Sequence, residues 1–381
     1  MPIYLDHSAS ARVWPAVVEQ LSANLTDYYA NPSSAHRLGQ AAEKKLNDSK
    51  TKIAALLGCH KNELLLTSGG SESINLAIKG YLAANPRQGM RVLSSQGEHA
   101  ATAESLSFLR LQGYTCEEIP IQPDGCVDLG ILAKAMQQPA ALLSLIHVSN
   151  ESGAINQVAE IVRLRNQLQP QMAIHLDAVQ TLGRQPLNFH RMGIELLSGS
   201  GHKVGAPKGV GFLLVRQGVR LQPLIHGGDQ QHGLRSGTEN PPMAAALAQA
   251  IELTTAHSSE KETRVRNLRE RLLTGLEEEQ VNFQVLSPEN GVPQILLISF
   301  PGLRGETMLH ALEARDIYVS TGAACSSKQK KANRILQAMG VPAKLADCAI
   351  RISLAASNTD DEIDETRKAI GEICRWLIRV S

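Results

Sequence analysis

The stretch Ser200-Gly201-His202-Lys203-Val204-Gly205-Ala206-Pro207-Lys208-Gly209 places a lysine on a tight, glycine-rich turn between two apolar runs, at 194–197 and 210–215. A lysine that reacts as a neutral amine needs partial burial and positive neighbours that suppress its charge. We expect His202 and Lys208 to be those neighbours. An ordinary turn that carries a solvated lysine is the competing interpretation of this stretch alone.

The chain around this turn alternates short apolar runs with segments whose apolar residues have helical spacing. We predict strands at 63–67, 91–95, 141–146, 173–176, 194–197 and 210–215, and helices at 16–28, 35–57, 72–83, 100–112, 128–137 and 158–168. Such alternation indicates a mostly parallel sheet with helices on both faces. The predicted fold class is therefore α/β.

The last third of the chain has the pattern of a smaller α/β unit. We predict one long connecting helix at 241–280, a strand at 292–299, a helix at 305–315, strands at 317–319 and 348–354, and a helix at 360–379. We expect a large domain over 15–255. The small domain then combines 1–14 with 256–381.

The composition is that of an ordinary globular protein, with 43% hydrophobic and 20% charged residues. A net charge of +1 and only 3% aromatic residues argue against direct binding of nucleic acid. No apolar run approaches the roughly 20 residues of a membrane-spanning helix, so we expect no membrane association. The start of the chain lacks signal-peptide character, and the six cysteines have no zinc-ligand spacing. We therefore expect a cytoplasmic protein with reduced thiols and no metal.

Two predicted strands are followed by residues suited to a phosphate group and to an aromatic ring. Thr67-Ser68-Gly69-Gly70-Ser71-Glu72 joins a strand to a helix, where glycines and free backbone N–H groups suit a phosphate and Ser71 adds a hydroxyl. His99 follows the strand at 91–95, and its flat ring is suited to stacking on an aromatic group. A plain capped helix start and a structural histidine are the competing interpretations.

Asp177 ends an apolar run, Met172 to Leu176, at the binding edge of the predicted sheet. A buried carboxylate there is costly unless a cation pairs with it. A protonated pyridine nitrogen is such a partner, and this pairing lets pyridoxal phosphate act as an electron sink. An aspartate that caps a helix is the alternative. Lys203, at the end of another strand, favours the cofactor.

Three later stretches add an anion site, a nucleophile and a carboxylate partner. Leu234-Arg235-Ser236-Gly237-Thr238-Glu239-Asn240 offers hydroxyls and an arginine, although alone it is weak. Cys325 lies in a run of small, polar residues with Lys328 close behind, which favours the thiolate over an inert thiol. Arg351 interrupts an apolar strand, which suits a substrate carboxylate or, equally, a structural ion pair.

These stretches occur in the order and at about the spacing of the cysteine desulfurase family, whose members are pyridoxal-phosphate enzymes of the class V, aspartate-aminotransferase-like fold. The chain resembles that family from Tyr4-Leu5-Asp6-His7-Ser8-Ala9 to Asp361-Glu362-Ile363-Asp364. The most specific motifs are the Ser-x-His-Lys-x-x-x-Pro-Lys-Gly turn, Arg-Ser-Gly-Thr, and the Ala-Cys loop ahead of an Arg-x-Ser-Leu strand. The resemblance implies the PLP-transferase fold with a large and a small domain.

The resemblance also implies a role for each matching residue. Lys203 bonds to the cofactor aldehyde and later removes the α-proton of L-cysteine. Cys325 attacks the substrate sulfur and keeps it as a persulfide, so that L-alanine is released. Asn150 and Arg351 bind the substrate carboxylate. The implied cofactor-binding residues are His99 on the ring, Asp177 on the ring nitrogen, Gln180 on the phenolic oxygen, and Gly70, Ser71, Ser200, His202 and the partner's Thr238 on the phosphate.

Some departures and alternatives accompany this resemblance. The chain has Gly70-Ser71 where the family often has Ala-Thr, and Ser149-Asn150 where two asparagines are common. The cysteine loop resembles that of the subgroup that hands sulfur to a scaffold protein, so an acceptor protein, scaffold or sulfur carrier, is implied. We also expect a homodimer, because the segment from Arg235 to Asn240 is expected to complete the phosphate site of the neighbouring subunit. A selenocysteine lyase or a class V aminotransferase is the alternative within the fold. A non-catalytic partner that only binds a scaffold is the alternative from another class.

Overall fold

The computed structural model describes residues 2–321 and 334–377. Its strands are β1 (Ile3–Tyr4), β2 (Leu64–Thr67), β3 (Arg91–Ser95), β4 (Thr115–Ile119), β5 (Leu142–Ile146), β6 (Ala173–Asp177), β7 (Leu196–Ser200), β8 (Gly211–Val215), β9 (Gln284–Val285), β10 (Ile295–Ser299), β11 (Ile317–Tyr318) and β12 (Ala349–Ser353). Its helices are α1 (Pro15–Asp27), α2 (Arg37–Leu57), α3 (Gly70–Asn75), α4 (Tyr81–Ala84), α5 (Ala100–Leu111), α6 (Leu129–Ala135), α7 (Val158–Leu168), α8 (Phe189–Met192), α9 (Pro241–Thr255), α10 (Ser258–Glu278), α11 (Gly305–Glu313), α12 (Arg334–Ala338), α13 (Ala343–Ala346) and α14 (Asp360–Leu377). A π-helical turn, Leu76–Gly80, joins α3 to α4.

A seven-stranded sheet forms the centre of the larger part of the chain, in the order β2-β8-β7-β6-β5-β3-β4. Strand β8 is antiparallel to both of its neighbours, and the other neighbouring strands run parallel. Apolar side chains fill both faces, since Leu143 and Leu142 of β5 belong to different core clusters. A sheet covered on both faces needs strands that are mostly apolar, which explains the nearly continuous apolar runs. The predicted α/β fold class is confirmed.

Strand β7 continues to Ser200, past the predicted end at residue 197. Gly199 pairs with Phe212 of β8, and a Cβ on Gly199 would lie 2.1 Å from that aromatic ring. The small residues at the end of β7 can therefore form strand hydrogen bonds with β8, because the ring of Phe212 fills the space that their side chains leave. The extension carries the backbone directly to the turn that holds Lys203.

Strand β4 was not predicted because its middle is charged. Glu117 pairs with Arg91 of the neighbouring strand, and Glu118 lies 2.7 Å from Arg110 of α5. The strand occupies one edge of the sheet, where charged side chains reach water and discourage pairing with another chain. A prediction that looks for runs of apolar residues therefore does not find β4.

The prediction of one helix over 241–280 was wrong. Helix α9 ends at Thr255 and α10 begins at Ser258, with His257 between them in the left-handed region at φ +53°. Lys261 of α10 donates a hydrogen bond of 2.7 Å to the carbonyl of Ala256 and so stabilises the end of α9. Both segments have helical spacing, and the break depends on backbone and side-chain geometry that this spacing does not encode.

A second hydrophobic cluster lies in the rest of the chain. It combines Leu268 and Leu272 of α10 with residues of β10, β12 and α14, and it includes Ile3 and Leu5 from the N-terminal segment. The strands here are an antiparallel sheet, β12-β10-β9, and the parallel pair β1-β11. Across residues 2–321 and 334–377, no helix is long and apolar enough to span a bilayer.

Candidate active site

The parallel strands of the central sheet bring several predicted site residues to one edge. Asp177 and Ser200 are the last residues of β6 and β7, and His99 and Asn150 follow β3 and β5 within a few residues. Parallel strands end at the same edge, and ligands of open α/β sheets bind there. The sheet therefore gathers side chains that are far apart in the sequence.

Lys203 closes a short 3-10 turn, Gly201–Lys203, that directly follows β7. Its Nζ donates to the carbonyl oxygens of Ser8 at 2.7 Å and Ala9 at 2.8 Å. Burial, followed by the charges of Arg184 and Arg351, lowers the pKa of Lys203 to about 8. An amine with such a pKa is neutral in a useful fraction of molecules near neutral pH.

The neighbours that suppress the charge of Lys203 are not the predicted ones. The cations that act on it most strongly are Arg184 and Arg351, whereas Lys208 is exposed. His202 is itself affected, since burial and the charges of the two lysines lower its pKa to about 4. His202 therefore adds little positive charge at neutral pH, and the sequence-based expectation about His202 and Lys208 was wrong.

Asp177 is 2% exposed, and its Oδ1 accepts a hydrogen bond of 3.0 Å from the backbone N–H of Val179. Burial raises the pKa of this carboxyl, and the charges of His99 and Lys203 act against that rise. Asp177 thus caps a turn, and no helix begins in the described residues that directly follow it, so the helix-capping alternative does not apply. A cationic ring nitrogen would supply the close opposite charge that favours the ionised form of such a buried carboxylate.

His99 caps helix α5, since its Nδ1 accepts a hydrogen bond of 3.1 Å from the backbone N–H of Ala101. In the neutral ring the proton then lies on Nε2. Burial lowers the pKa of His99, and Lys203 lowers it further while Asp177 opposes both. The structural role and a stacking role are compatible because capping uses one ring edge and stacking uses a ring face.

Two buried amide oxygens in this region lack a donor. Gln180 donates from Nε2 to the carbonyl of Ser8 at 2.8 Å, so Ser8 accepts from both Gln180 and Lys203. The Oε1 of Gln180 and the Oδ1 of Asn150 receive no hydrogen bond from the described part of the chain. Unpaired buried acceptors of this kind indicate that a bound group completes the site.

The glycine loop at the start of α3 lies against the end of β7. A Cβ on Gly70 would lie 2.8 Å from a methyl group of Val179 and 3.5 Å from Cβ of Ser200, so a side chain there would require Val179 to shift. Ser71 is exposed, and Nδ1 of His202 lies 3.4 Å from the hydroxyl of Ser10. The loop, the helix start and the buried Ser200 fit a phosphate group.

Arg351 lies on β12 beside both a carboxylate and the backbone of Asn150. Its Nη2 is 2.9 Å from Oδ1 of Asp6, and its Nη1 donates to the carbonyl of Asn150 at 3.0 Å. The two residues predicted to bind a substrate carboxylate are therefore neighbours. The structural ion pair that competed in the sequence is also present, with Asp6 in the position of an anion.

Within the described part of the chain, no contact brings the predicted residue Thr238 to the Lys203 turn. Thr238 is exposed, on a loop that Arg235 attaches to Glu72 at 2.9 Å. Cys325 lies outside the described residues. Described residues on either side of it lie close to the site, since Ser320 pairs with Arg351 and Arg334 lies 3.4 Å from the carbonyl of Gln96.

Sequence reasoning missed Arg184, Asp6 and the carbonyls of Ser8 and Ala9. A cavity of about 370 Å³ reaches Lys203, and Arg184 is among the residues that line it. The side chain of Arg184 donates to the carbonyl of Gln180 at 3.1 Å. A basic residue four positions after Gln180 was the only available signal, and backbone carbonyls leave no signal in a sequence.

Comparisons with known proteins give a consistent result over the whole chain. The family model for aminotransferase class-V matches residues 3–366. A cysteine desulfurase IscS of Methanosarcina thermophila is 35% identical over 379 residues, which are 100% of this chain and 93% of the relative. A cysteine desulfurase of Trichormus azollae is 37% identical over 384 residues, 100% of this chain and 94% of the relative. A solved NifS-like protein superposes with a TM-score of 0.94 at 34% identity and covers 99% of this chain and 100% of that structure.

Proposed function

This chain belongs to the aminotransferase class-V family and is a cysteine desulfurase that depends on pyridoxal phosphate, and from that premise we propose how its own residues carry out the reaction. We assign the covalent attachment of the cofactor to Lys203. The observation that carries this assignment is the position of a half-buried amine, held by the carbonyls of Ser8 and Ala9 at the sheet edge that also holds Asp177. Burial there lowers the pKa of Lys203 to about 8. A surface lysine on an ordinary turn would keep a pKa near its usual value.

The residues around Lys203 would hold the cofactor from several sides. His99 would stack on its ring, Asp177 would pair with the ring nitrogen, and the amide of Gln180 would hydrogen-bond the phenolic oxygen. The phosphate would lie at the start of α3, bound by Gly70, Ser71, Ser200 and His202. When bound, pyridoxal phosphate supplies an electron-withdrawing ring that weakens the bonds at the α-carbon of an amino acid.

Arg351 and Asn150 would bind the carboxylate of L-cysteine. The guanidinium of Arg351 already holds a carboxylate, that of Asp6, so the geometry for an anion exists. Binding of substrate would then require Asp6 to give up this contact. Lys203, once free as a neutral amine, would accept the α-proton, because its pKa near 8 suits proton transfer close to neutral pH.

Cys325 would take the sulfur as a thiolate. Attack of its Sγ on the substrate sulfur would form a persulfide while the carbon–sulfur bond breaks. The electron pair of that bond stays with the β-carbon, which takes up a proton, and the three-carbon fragment leaves as L-alanine. The positions of Ser320 and Arg334 beside the site support this assignment, since they lie on the two sides of Cys325 in the chain. The persulfide would then pass to an acceptor protein, a scaffold or a sulfur carrier.

The architecture supports a division into a large domain, 15–255, and a small domain made of 1–14 with 256–381. The hydrophobic cluster that joins Ile3 and Leu5 to α10 and α14 is consistent with it. We also infer a homodimer in which the exposed Thr238 reaches the phosphate of the other subunit. A cytoplasmic location and the lack of nucleic-acid or membrane partners remain predictions from composition.

The assignment of Lys203 is tested by the visible absorption of the purified protein. Wild type incubated with pyridoxal phosphate should gain a band, and borohydride reduction with peptide mapping should locate the pyridoxyl group on Lys203. Lys203→Ala should lose both signals. Lys50→Ala is the matched control, because Lys50 is also buried yet lies on α2. A band that survives in Lys203→Ala and reduction of another lysine would contradict the assignment.

The assignment of Cys325 is tested by following sulfur. Cys325→Ser should stop sulfide release from L-cysteine and should leave the absorption band intact. Cys126→Ser is the control, because burial raises the pKa of the Cys126 thiol to about 11. A Cys325→Ser variant that releases sulfide at the wild-type rate would favour a lyase that needs no thiol.

A further inference from the structure

The order in which the chain adds strands to the central sheet reverses at β3. The chain passes from β3 to β4 on one side and returns through β5 on the other, so the gap between β3 and β5 is a topological switch point. The ladder between β3 and β5 ends at the pair Ser94–Ser144. The ladders on either side continue further, to Ile119 opposite β3 and to Asp177 opposite β5. The two strands therefore part at the edge where ligands bind.

The side chain of Glu98 bridges this gap. Its Oε1 accepts a hydrogen bond of 2.6 Å from the hydroxyl of Ser95, at the end of β3, and one of 3.0 Å from the backbone N–H of Ile146, at the end of β5. Glu98 is 4% exposed. The carbonyl of Ile146 accepts from Asn156 at 2.8 Å, so side chains replace both ladder contacts at this strand end.

We propose that Glu98 is a positioning residue that joins the ends of β3 and β5 through Oε1 and thereby sets both the ring of His99 and the segment that leads to Asn150. His99 follows Glu98 directly and begins α5, so its ring direction depends on this anchor. Asn150 lies four residues beyond Ile146. The inference rests on the proposed roles of His99 and Asn150.

The chemistry of the bridge is that of a neutral carboxylic acid. Burial and then the nearby charge of Asp177 raise the pKa of Glu98 to about 8, although the hydrogen bonds from Ser95 and Ile146 and the charge of Arg334 oppose this. A neutral group here avoids a second anion beside Asp177. A glutamine has the same shape, is neutral, and keeps an oxygen that accepts hydrogen bonds.

The test compares Glu98→Gln with Glu98→Ala in the holoenzyme. Glu98→Gln should keep the dissociation constant of pyridoxal phosphate within about threefold, with the visible circular dichroism and the KM for L-cysteine unchanged. Glu98→Ala leaves the buried N–H of Ile146 without a partner, and we expect about tenfold weaker cofactor binding and an altered visible circular dichroism band. Ser95→Ala removes the donor to Glu98 and the acceptor of the Gly97 N–H, and it keeps the contact of Glu98 with Ile146. It should weaken cofactor binding by about fivefold, between the effects of Glu98→Gln and Glu98→Ala, and it replaces Glu98→Ala as the test variant if Glu98→Ala does not fold.

Glu195 supplies the matched control. Its Oε2 accepts from the backbone N–H of Ile174 at 2.7 Å, at the opposite end of the same sheet. Glu195→Ala should lower thermal stability without changing the visible circular dichroism. If Glu98→Ala behaves like Glu195→Ala, the positioning role is wrong. If Lys203→Ala keeps the absorption band, the assignment of Lys203 in the proposed function is wrong, whatever the Glu98 variants show. The two experiments therefore distinguish a failure of the proposed function from a failure of the positioning role.

Discussion

Arg351 and Asp6 form an ion pair in which Nη2 and Oδ1 are 2.9 Å apart, with the arginine side chain only 7% exposed. The pair joins β12 to the N-terminal segment, and the same arginine contacts the carbonyl of Asn150. A guanidinium that holds an internal carboxylate is also a site for an external one. If Arg351 binds the substrate carboxylate as proposed, Asp6 would compete with the substrate for its guanidinium, and this competition is measurable.

Asp6→Asn should lower the KM for L-cysteine by about three- to tenfold, because the amide keeps the shape of Asp6 and loses the competing charge. Arg351→Lys should raise KM by about tenfold, since it loses the bidentate geometry. Steady-state kinetics with L-cysteine measures both. Arg165→Lys is the control, as Arg165 is a buried arginine paired with Glu195 at 3.0 Å and is expected to affect stability alone. A raised KM in Asp6→Asn would mean that Asp6 orients Arg351.

Lys203 of the apoprotein should react with acetic anhydride along a titration curve centred near its pKa of about 8. The amine is neutral above that pH, so at pH 7 about a tenth of it is reactive. The groups that act on it are Arg184 and Arg351, which lower its pKa, and Asp6 and Asp177, which raise it.

Arg184→Gln should move the Lys203 labelling curve to higher pH by about one unit, because a cation that disfavours the ammonium is lost. Competitive labelling with mass spectrometry measures the curve. Arg165→Gln should leave it in place. An unmoved curve in Arg184→Gln would show that burial alone lowers the pKa of Lys203.

The free energy of unfolding should fall at acid pH, because His175 takes up a proton in the unfolded chain before it does so in the folded protein. This residue is fully buried between the hydroxyls of Ser144 at 2.9 Å and Ser198 at 2.8 Å, and burial lowers its pKa to about 3. In the unfolded chain His175 binds a proton below about pH 6.5, so its contribution to stability is complete above that pH and is lost as the pH falls towards 3. At pH 5 the loss is about 2 kcal/mol.

Urea unfolding of the apoprotein at pH 7 and pH 5 measures the acid effect. His175→Gln should be less stable at pH 7, and its loss between the two pH values should be smaller than that of wild type by about 2 kcal/mol. His310→Gln should lose as much as wild type, because His310 is exposed. An equal loss in His175→Gln and wild type would contradict the linkage.

A glycine at position 257, where the helical conformation breaks between α9 and α10, should stabilise the fold. His257 has a left-handed backbone at φ +53°, where glycine is free of strain, so His257→Gly should raise the free energy of unfolding by up to about 1 kcal/mol. His310 is the matched control, since each histidine is exposed and pairs with a glutamate three residues later. His310→Gly, inside α11, should lower the free energy of unfolding by about 1 kcal/mol. Denaturant titration measures the free energy of unfolding of both variants. An equal change of this free energy in the two variants would exclude backbone strain at His257.

The sequence predicted the central sheet because strands buried on both faces are mostly apolar. The runs that became β5 and β6 show this pattern, and the polar residues that end them, such as Asp177, marked the binding edge. The order of these motifs, with the Lys203 turn among them, was sufficient to predict the family. Local patterns failed where charge covers an edge strand, as in β4, and where a single backbone angle breaks a helix, as at His257.

Only the tertiary structure decided which groups surround the reactive ones. The carbonyl of Ser8 beside Lys203, the carboxylate of Asp6 on Arg351 and the bridge from Glu98 to Ile146 all join distant parts of the chain. No local pattern encodes such pairs, because each depends on how separate segments meet when the sheet and the N-terminal segment pack together. The sequence alone therefore determined the type of chemistry, whereas the pKa of Lys203 and the anchoring of His99 come from packing.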